Sequence, residues 1–352
     1  MKPAQHDADF DADYRALRQT AGLLDLGSRS RLCLVGADRQ RFLHGQVTNE
    51  VAKLQPGRGC YAFLVTAKGR IQSDLNIYCL ADELLLDFEP GLASLVQERL
   101  EKYVIADDVQ VVDATPHYGL LSVQGPLAAA ALASVGVPLS ADLRSLTQSR
   151  QPAWGTDGEV YCMNHPCGAV GAPGFDLFIP VAALPAAKAA LAAAVQRQGG
   201  RECGEAGLEV VRVEAGRPRF GRDMEETNLA PEAGLEAAAA ISYQKGCYIG
   251  QEVIARIRTY GQVNKSLRGL RLPPGLAAAL PAHGTKLFRE GREVGYVTTA
   301  VNSPLFAAPI ALGYVRRECN EPGTVLDLQV AGAVHPVEVS ALPFVASPPP
   351  LP

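Results

Sequence analysis

The chain carries little net charge, no long apolar run and no basic, apolar leader at its start. A formal charge of only −4 excludes a strong global field that would draw the protein onto nucleic acid or an anionic membrane, so any such contact must be local. The most apolar stretch, Ala182 to Val195, is short, alanine-dominated and interrupted by Lys188. It reads as an ordinary amphipathic or buried helix, and no membrane contact is expected. Without a signal-peptide pattern the expected location is cytoplasmic. The eight cysteines (Cys33, Cys60, Cys79, Cys162, Cys167, Cys203, Cys247, Cys319) are then expected as thiols in a reducing compartment, not as a disulfide framework. No repeat of fixed period occurs, and low complexity is confined to the terminal prolines.

What is present belongs to a globular protein: 47% hydrophobic and 20% charged residues in 352, enough for two or three domains with separate cores. Met1 to Asp13 and the proline-rich tail 347–352 read as loose ends. Helical spacing covers Asp13 to Leu26. Arg31 to Val35 alternates as a strand, and Asp38 reads as a cap for a helix over Arg39 to Val47. Cys60 to Thr66, Arg70 to Leu80 and Leu84 to Phe88 read as an antiparallel meander, followed by a helix from about Pro90 to Tyr103. Strands at Val109 to Ala114 and Tyr118 to Val123 precede an alanine-rich helix. The segment from Pro138 to Gly174 reads as a variable surface region. Phe175 to Ile179 resumes as a strand, and Gly204 to Glu214 reads as a helix stopped at Gly216. After Lys265, six short segments (Leu267 to Leu272, Thr285 to Arg289, Glu293 to Thr299, Ile310 to Val315, Val325 to Val330 and Pro336 to Val339) suggest a small antiparallel barrel. The expected organisation is residues 1–262 as one region, 263–346 as the barrel and 347–352 as a tail.

The sharpest local feature is Lys245-Gly246-Cys247-Tyr248-Ile249-Gly250-Gln251-Glu252, leading into a helix over Val253 to Thr259. Two glycines bracket one cysteine and let the backbone turn tightly, while Lys245 and a helix N-terminus would both favour a thiolate. The alternative is a buried structural cysteine in a turn.

This octapeptide, with Arg256 four residues beyond Glu252, resembles the signature of the YgfZ branch of the aminomethyltransferase-like (GcvT-like) family, relatives of mitochondrial iron–sulfur assembly factors. Phe42 to Val51 (FLHGQVTNEV), Arg58 to Tyr78, Val123 to Pro126 (VQGP), Arg212 to Met224 (RVEAGRPRFGRDM) and Pro231 to Leu235 also resemble the wider family. The resemblance implies an α+β multi-domain fold of two interleaved α/β lobes with antiparallel sheets, closed by a C-terminal antiparallel barrel around a tetrahydrofolate pocket. It assigns Glu214 to the pterin edge, where a carboxylate can accept a ring N–H and an amino group together, and Tyr61 to the pocket wall. A salt bridge to a neighbouring arginine is the alternative for Glu214. True aminomethyltransferases carry an Asp-Asp pair where this chain has Ser73-Asp74, so Asp74 matches the member that acts on the folate amine. The implied role is a folate-binding accessory factor for iron–sulfur cluster assembly or repair, with Cys247 as functional thiol, iron–sulfur enzymes or assembly proteins as partners, and tRNA modification supported indirectly. The alternative is a tetrahydrofolate-dependent aminomethyltransferase or demethylase.

Three weaker signals complete the reading. Cys162, His165 and Cys167 form C-x2-H-x-C, whose spacing is wrong for a zinc knuckle and lacks a second ligand pair, so no metal is expected. His44 is given no role. Arg256, Arg258, Lys265, Arg268 and Arg271 could meet the glutamate tail of folate, an acidic partner or phosphates, or simply form a solvated face; with only Tyr260 nearby, a platform for single strands is not supported.

Overall fold

A computed structural model describes residues 8–155, 158–261 and 263–344, and over these the chain starts in one sheet, crosses to a second, returns to the first and ends in a closed barrel. The proline-rich tail and Met1 to Asp7 lie outside the described residues. Helix α1 (Ala8–Gln19) has Asp9 and Asp11 in its first turn and Arg18 in its last, matching the helix dipole at both ends. It therefore begins before Asp13 and stops well short of Leu26. The residues expected to continue it form strand β1 (Gly22–Asp25), in which Leu23 and Leu24 are both buried. A strand covered on both faces shows an apolar run in place of alternation, which is why the helical pattern misled here.

The second sheet follows: β2 (Ser30–Val35), α2 (Arg39–Gln46), β3 (Gly59–Val65), β4 (Ile71–Cys79), β5 (Glu83–Phe88), α3 (Ala93–Glu101) and β6 (Gln110–Asp113), in spatial order β3-β4-β5-β2-β6. Asp38 precedes α2 but makes no side-chain cap; its Oδ2 accepts the backbone N–H of Asp108 at 3.0 Å. The chain then returns through β7 (Tyr118–Gln124), α4 (Ala128–Ala133), β8 (Leu146–Arg150), β9 (Glu159–Asn164), β10 (Gly174–Pro180), α5 (Leu184–Arg197) and β11 (Arg201–Glu202). The completed first sheet has the order β11-β1-β7-β10-β9-β8. Strands β8 and β9 fall inside the segment expected to be irregular. As the edge strand, β8 alternates Thr147, Gln148, Ser149 and Arg150 with little apolar content, so its pattern was too polar to read as a strand.

Helices α6 (Glu205–Glu214), α7 (Leu235–Ala240) and α8 (Gln251–Tyr260) lead to the barrel, and Gly216 stops α6 at φ 67°. The barrel comprises β12 (Lys265–Arg271), β13 (Lys286–Arg289), β14 (Arg292–Ser303), β15 (Ala308–Arg316), β16 (Val325–Val330) and β17 (Ala333–Ser340), closed in the order β12-β15-β14-β13-β16-β17. The interleaved lobes and the C-terminal antiparallel barrel are thus as anticipated. A bulge in β14 between Val297 and Thr299 turns two successive hydroxyls the same way: Thr298 and Thr299 both donate to Asp223 Oδ1, at 2.6 and 2.8 Å. Asp223 Oδ2 accepts Arg212 Nη1 at 2.8 Å. The barrel is thereby tied to an arginine of α6 that faces the interior between the lobes. Among the described residues no helix is long and apolar enough to cross a membrane.

A central cavity with two open carboxylate oxygens

Between the two sheets and α6 lies a cavity of about 950 Å³, counted out to its open mouth. Its floor comes from the β3–β4 pair. The register Tyr61↔Asn76 and Phe63↔Asp74 places these four side chains on one face of the ladder. Tyr61 donates its hydroxyl to Asp74 Oδ2 at 2.8 Å, while Asp74 Oδ1 is buried and has no partner. Burial, with the charge of Glu89 second, pushes the Asp74 carboxyl up to about 7 against the opposing pull of Arg29 and the Tyr61 hydrogen bond. Asp74 is therefore able to give or take a proton near neutral pH.

Its acidic neighbours are compensated. Arg29 holds Asp87 through Nε and Nη2, each at 2.9 Å, and reaches Glu89 at 2.7 Å, and Arg219 binds the other Glu89 oxygen at 2.7 Å. Asn76 links Asp87 to Arg144, donating at 3.1 Å and accepting at 2.7 Å. Arg144 adopts φ 56°, a region that costs a non-glycine residue energy, and its guanidinium sits 5.0 Å from the centre of the Tyr61 ring.

The opposite wall comes from β10 and the turn before it. Asp176 is buried, its Oδ2 lies 2.6 Å from His165 Nδ1, and its Oδ1 has no partner. Gln124 Oε1 accepts the backbone N–H groups of Cys167 and Gly168, at 3.0 and 3.2 Å, which fixes the turn. Cys167 also lines the cavity, and burial pushes its thiol up to about 12. Arg212, Arg217 and Arg219 from α6 and the segment after it close the third side.

Of the residues singled out in the sequence, Tyr61 and Asp74 meet in this cavity. Glu214 is not among the residues lining it. It is buried where α1 and α6 meet the barrel, accepting from Tyr14 at 2.9 and 3.1 Å, from Arg18 at 3.4 Å and from Ser303. The salt-bridge partner is Arg18 of α1, not one of the nearby arginines in its own segment. Of the cavity carboxylates that the sequence reading missed (Glu89, Asp176 and Glu205), Asp176 is the one with an unpartnered buried oxygen. Its one signal was a lone charge inside the otherwise apolar strand Gly174–Pro180.

The octapeptide forms a loop outside the cavity lining, so Asp74 and Cys247 do not share a chamber. Cys247 is exposed, alone among the eight cysteines. Lys245 is buried, which corrects the expected support for a thiolate: its Nζ donates to the carbonyls of His44 and Val47 at the end of α2 and lies 4.7 Å over the Tyr248 ring. Burial pulls the Lys245 ammonium down to about 8. Tyr248 packs into an apolar cluster with Tyr61 and Phe63. Gly250 has φ 85°, and a side chain there would meet the Thr66 carbonyl at 2.5 Å. Gln251 Oε1 accepts the Tyr248 N–H at 3.3 Å, Glu252 and Arg256 face solvent, and Gly246 lies against His44.

The C-x2-H-x-C segment splits: Cys162 faces an apolar core, while His165 and Cys167 face the cavity. The basic run disperses, with Arg258 over Tyr243, Lys265 over Tyr296 and Tyr314, Arg271 over Phe306, and Arg268 bound to the Asn320 carbonyl.

Residues 2–243 match the GCVT N-terminal domain family, and residues 265–346 match the glycine cleavage T-protein C-terminal barrel domain. An aminomethyltransferase of Saccharopolyspora erythraea is 30% identical over 97% of this chain and 91% of its own length. A probable aminomethyltransferase of Natronomonas pharaonis is 31% identical over 96% and 91%. The crystal structure of glycine cleavage system aminomethyltransferase T from Bartonella henselae superposes with a TM-score of 0.83 at 25% identity, covering 95% of this chain and 89% of that one.

Proposed function

This chain belongs to the glycine cleavage T-protein family, and from that premise we propose that its cavity binds a reduced folate and acts as a tetrahydrofolate-dependent aminomethyl-transfer site. The relatives above carry the aminomethyltransferase name and not the YgfZ name, so the alternative weighed in the sequence becomes the first reading. The observation that supports it is a pair of carboxylates, Asp74 and Asp176, that line one cavity and each keep a buried oxygen, Oδ1, without a hydrogen-bond partner. An orphaned buried acceptor is costly and fits a ligand that brings N–H donors, as a pterin ring edge does.

Reduced folate would supply the ring amine that carries a one-carbon unit. The protein's part is then positioning and proton handling. Asp176 accepts from the ring edge. Tyr61 holds Asp74 Oδ2, leaving Oδ1 as the atom that exchanges a proton, and the raised affinity of Asp74 for that proton suits exchange near neutral pH. Arg29 and Arg219 neutralise Asp87 and Glu89, so the acidic character of the floor is concentrated at Asp74. Arg144 and Arg217 provide charge for the glutamate carboxylates of folate.

Calorimetric titration of the purified chain with tetrahydrofolate tests the reading, joined to an assay of ammonia release from an aminomethylated lipoyl carrier. The native chain is expected to bind and turn over, Asp176→Asn to bind more weakly, and Asp74→Asn to bind but lose turnover by about 10²- to 10⁴-fold. Absence of binding by the native chain would end the folate reading.

Binding without turnover would favour a second reading: a folate-binding accessory protein for iron–sulfur enzymes, affecting tRNA modification indirectly. The exposure of Cys247 outside the cavity supports it, because a surface thiol is placed to meet a partner protein. One thiolate cannot hold a cluster that ordinarily takes four, so the thiol would act jointly with that partner. Cys247→Ser should then leave folate binding intact and fail to rescue a cell lacking its own homologue; full rescue would remove this reading.

A further inference from the structure

We propose that His165 is a positioning residue for the cavity ligand: it fixes Asp176 so that one carboxylate oxygen, Oδ1, is committed to N–H donors on the ligand's ring edge. The inference rests on the folate reading and adds to it the device that sets ring-edge selectivity.

Strands β9 and β10 pair Met163 with Asp176 and Asn164 with Phe175, and the next rung is the His165 N–H donating to the Gly174 carbonyl at 2.9 Å. His165 and Asp176 are therefore diagonal neighbours on one face of the ladder, within reach of each other. At 2.6 Å, His165 Nδ1 and Asp176 Oδ2 are hydrogen-bonded, which commits Oδ2 to the imidazole. Free to turn about its terminal bond, an aspartate presents either oxygen to the cavity. Tied through Oδ2, it presents Oδ1 alone. The side chains of His165 and Asp176 are 17% and 3% exposed, so little water competes for the link.

The histidine is itself held from behind. Gln124 Nε2 donates to the His165 carbonyl at 3.1 Å, while Gln124 Oε1 gathers the N–H groups of Cys167 and Gly168. Gly174 makes room for this: a Cβ there would fall 1.9 Å from Gln124 Oε1. Gln124, His165 and Asp176 thus form a chain of supports that ends at the open oxygen. Asp74 across the cavity is tied through Oδ2 as well, but by the Tyr61 hydroxyl and without a backing chain like that behind His165 among the described residues. One carboxylate is fixed as an acceptor and the other is free to exchange a proton.

The test compares binding of tetrahydrofolate with binding of its analogue lacking the exocyclic 2-amino group, in the full chain. The native protein should prefer tetrahydrofolate by about 10- to 100-fold, the range expected for a hydrogen bond to a charged group. His165→Leu should reduce the preference to about 3-fold or less, whereas His165→Asn, whose amide nitrogen can take the place of Nδ1, should keep most of it. His165→Gln places its amide too far out and should behave as His165→Leu; this pair carries the test if the leucine variant does not fold. An unchanged preference in His165→Leu or His165→Gln, or equal weakening of both ligands, would overturn the positioning role while leaving the folate reading intact. No binding of either ligand by the native chain would remove both.

Discussion

The central cavity and the joint between α1, α6 and the barrel each bury carboxylates, and they differ in how fully the oxygens are used. At the joint, Glu214 is fully buried, yet Tyr14, Arg18 and Ser303 all reach it. Burial raises its affinity for a proton, and these three partners oppose that rise. At the cavity, Asp74 and Asp176 each keep one oxygen without a partner. A buried carboxylate with filled acceptors is a strut between elements. One with an open oxygen is unfinished until a ligand or a proton arrives. Residue type and neighbouring sequence did not separate the two cases, and partner completeness does.

The comparison breaks most visibly at the strut. Glu214→Ala should strand the Tyr14 and Ser303 hydroxyls and the Arg18 charge, lowering stability by about 3–5 kcal/mol in denaturant titration, with the ligand affinity of the folded fraction unchanged. A small stability loss with abolished folate binding would show instead that the joint belongs to the site. Lys245→Met is the next smaller perturbation. It removes the donor that serves two carbonyls at the end of α2 and should cost about 1–3 kcal/mol, again without touching the cavity ligand. Reduced folate affinity in this variant would tie the cysteine loop to the cavity.

The meander β3 to β5 and the six barrel strands were legible because turn residues punctuate them, although β3, β4 and β5 are buried along most of their length. Strand β1 was not, because a buried run of only four residues is too short to break the helical spacing around it, nor was β8, because an edge strand needs little apolar content. The site was legible only where it was local. Tyr61 and Asp74 lie on adjacent strands in a segment that resembles a family. Arg29 precedes the second sheet whereas Arg144, His165 and Asp176 follow it, and only the return of the chain to its first sheet brings these two stretches together at the cavity. The octapeptide shows the converse. Eight contiguous residues gave the strongest sequence signal, but most of them pin a loop: Lys245 to α2, Tyr248 into a core, Gly250 against the β3–β4 turn. Contiguity marked the loop, and only the structure showed that its thiol faces outward.

The smallest effect sharpens the comparison at its other end. Asp74 holds its proton up to about 7 in the folded chain, against an ordinary value of 3.8. A carboxyl with a raised value in the fold gives up its proton more readily when unfolded, so its stabilising share is complete below pH 3.8 and is lost as pH rises through 7. Asp74→Asn keeps an acceptor for Tyr61 and never ionises. Its stability relative to the native chain should therefore rise from pH 5 to pH 8, as the native carboxyl is forced to ionise in the fold. Glu214→Gln offers the contrasting case, since its three partners favour the charged form and the substitution should destabilise at both pH values. If the stability of Asp74→Asn relative to the native chain did not rise from pH 5 to pH 8, the floor of the cavity would be a strut like the joint, and the open oxygen would lose its meaning as the place where a ligand or a proton is received.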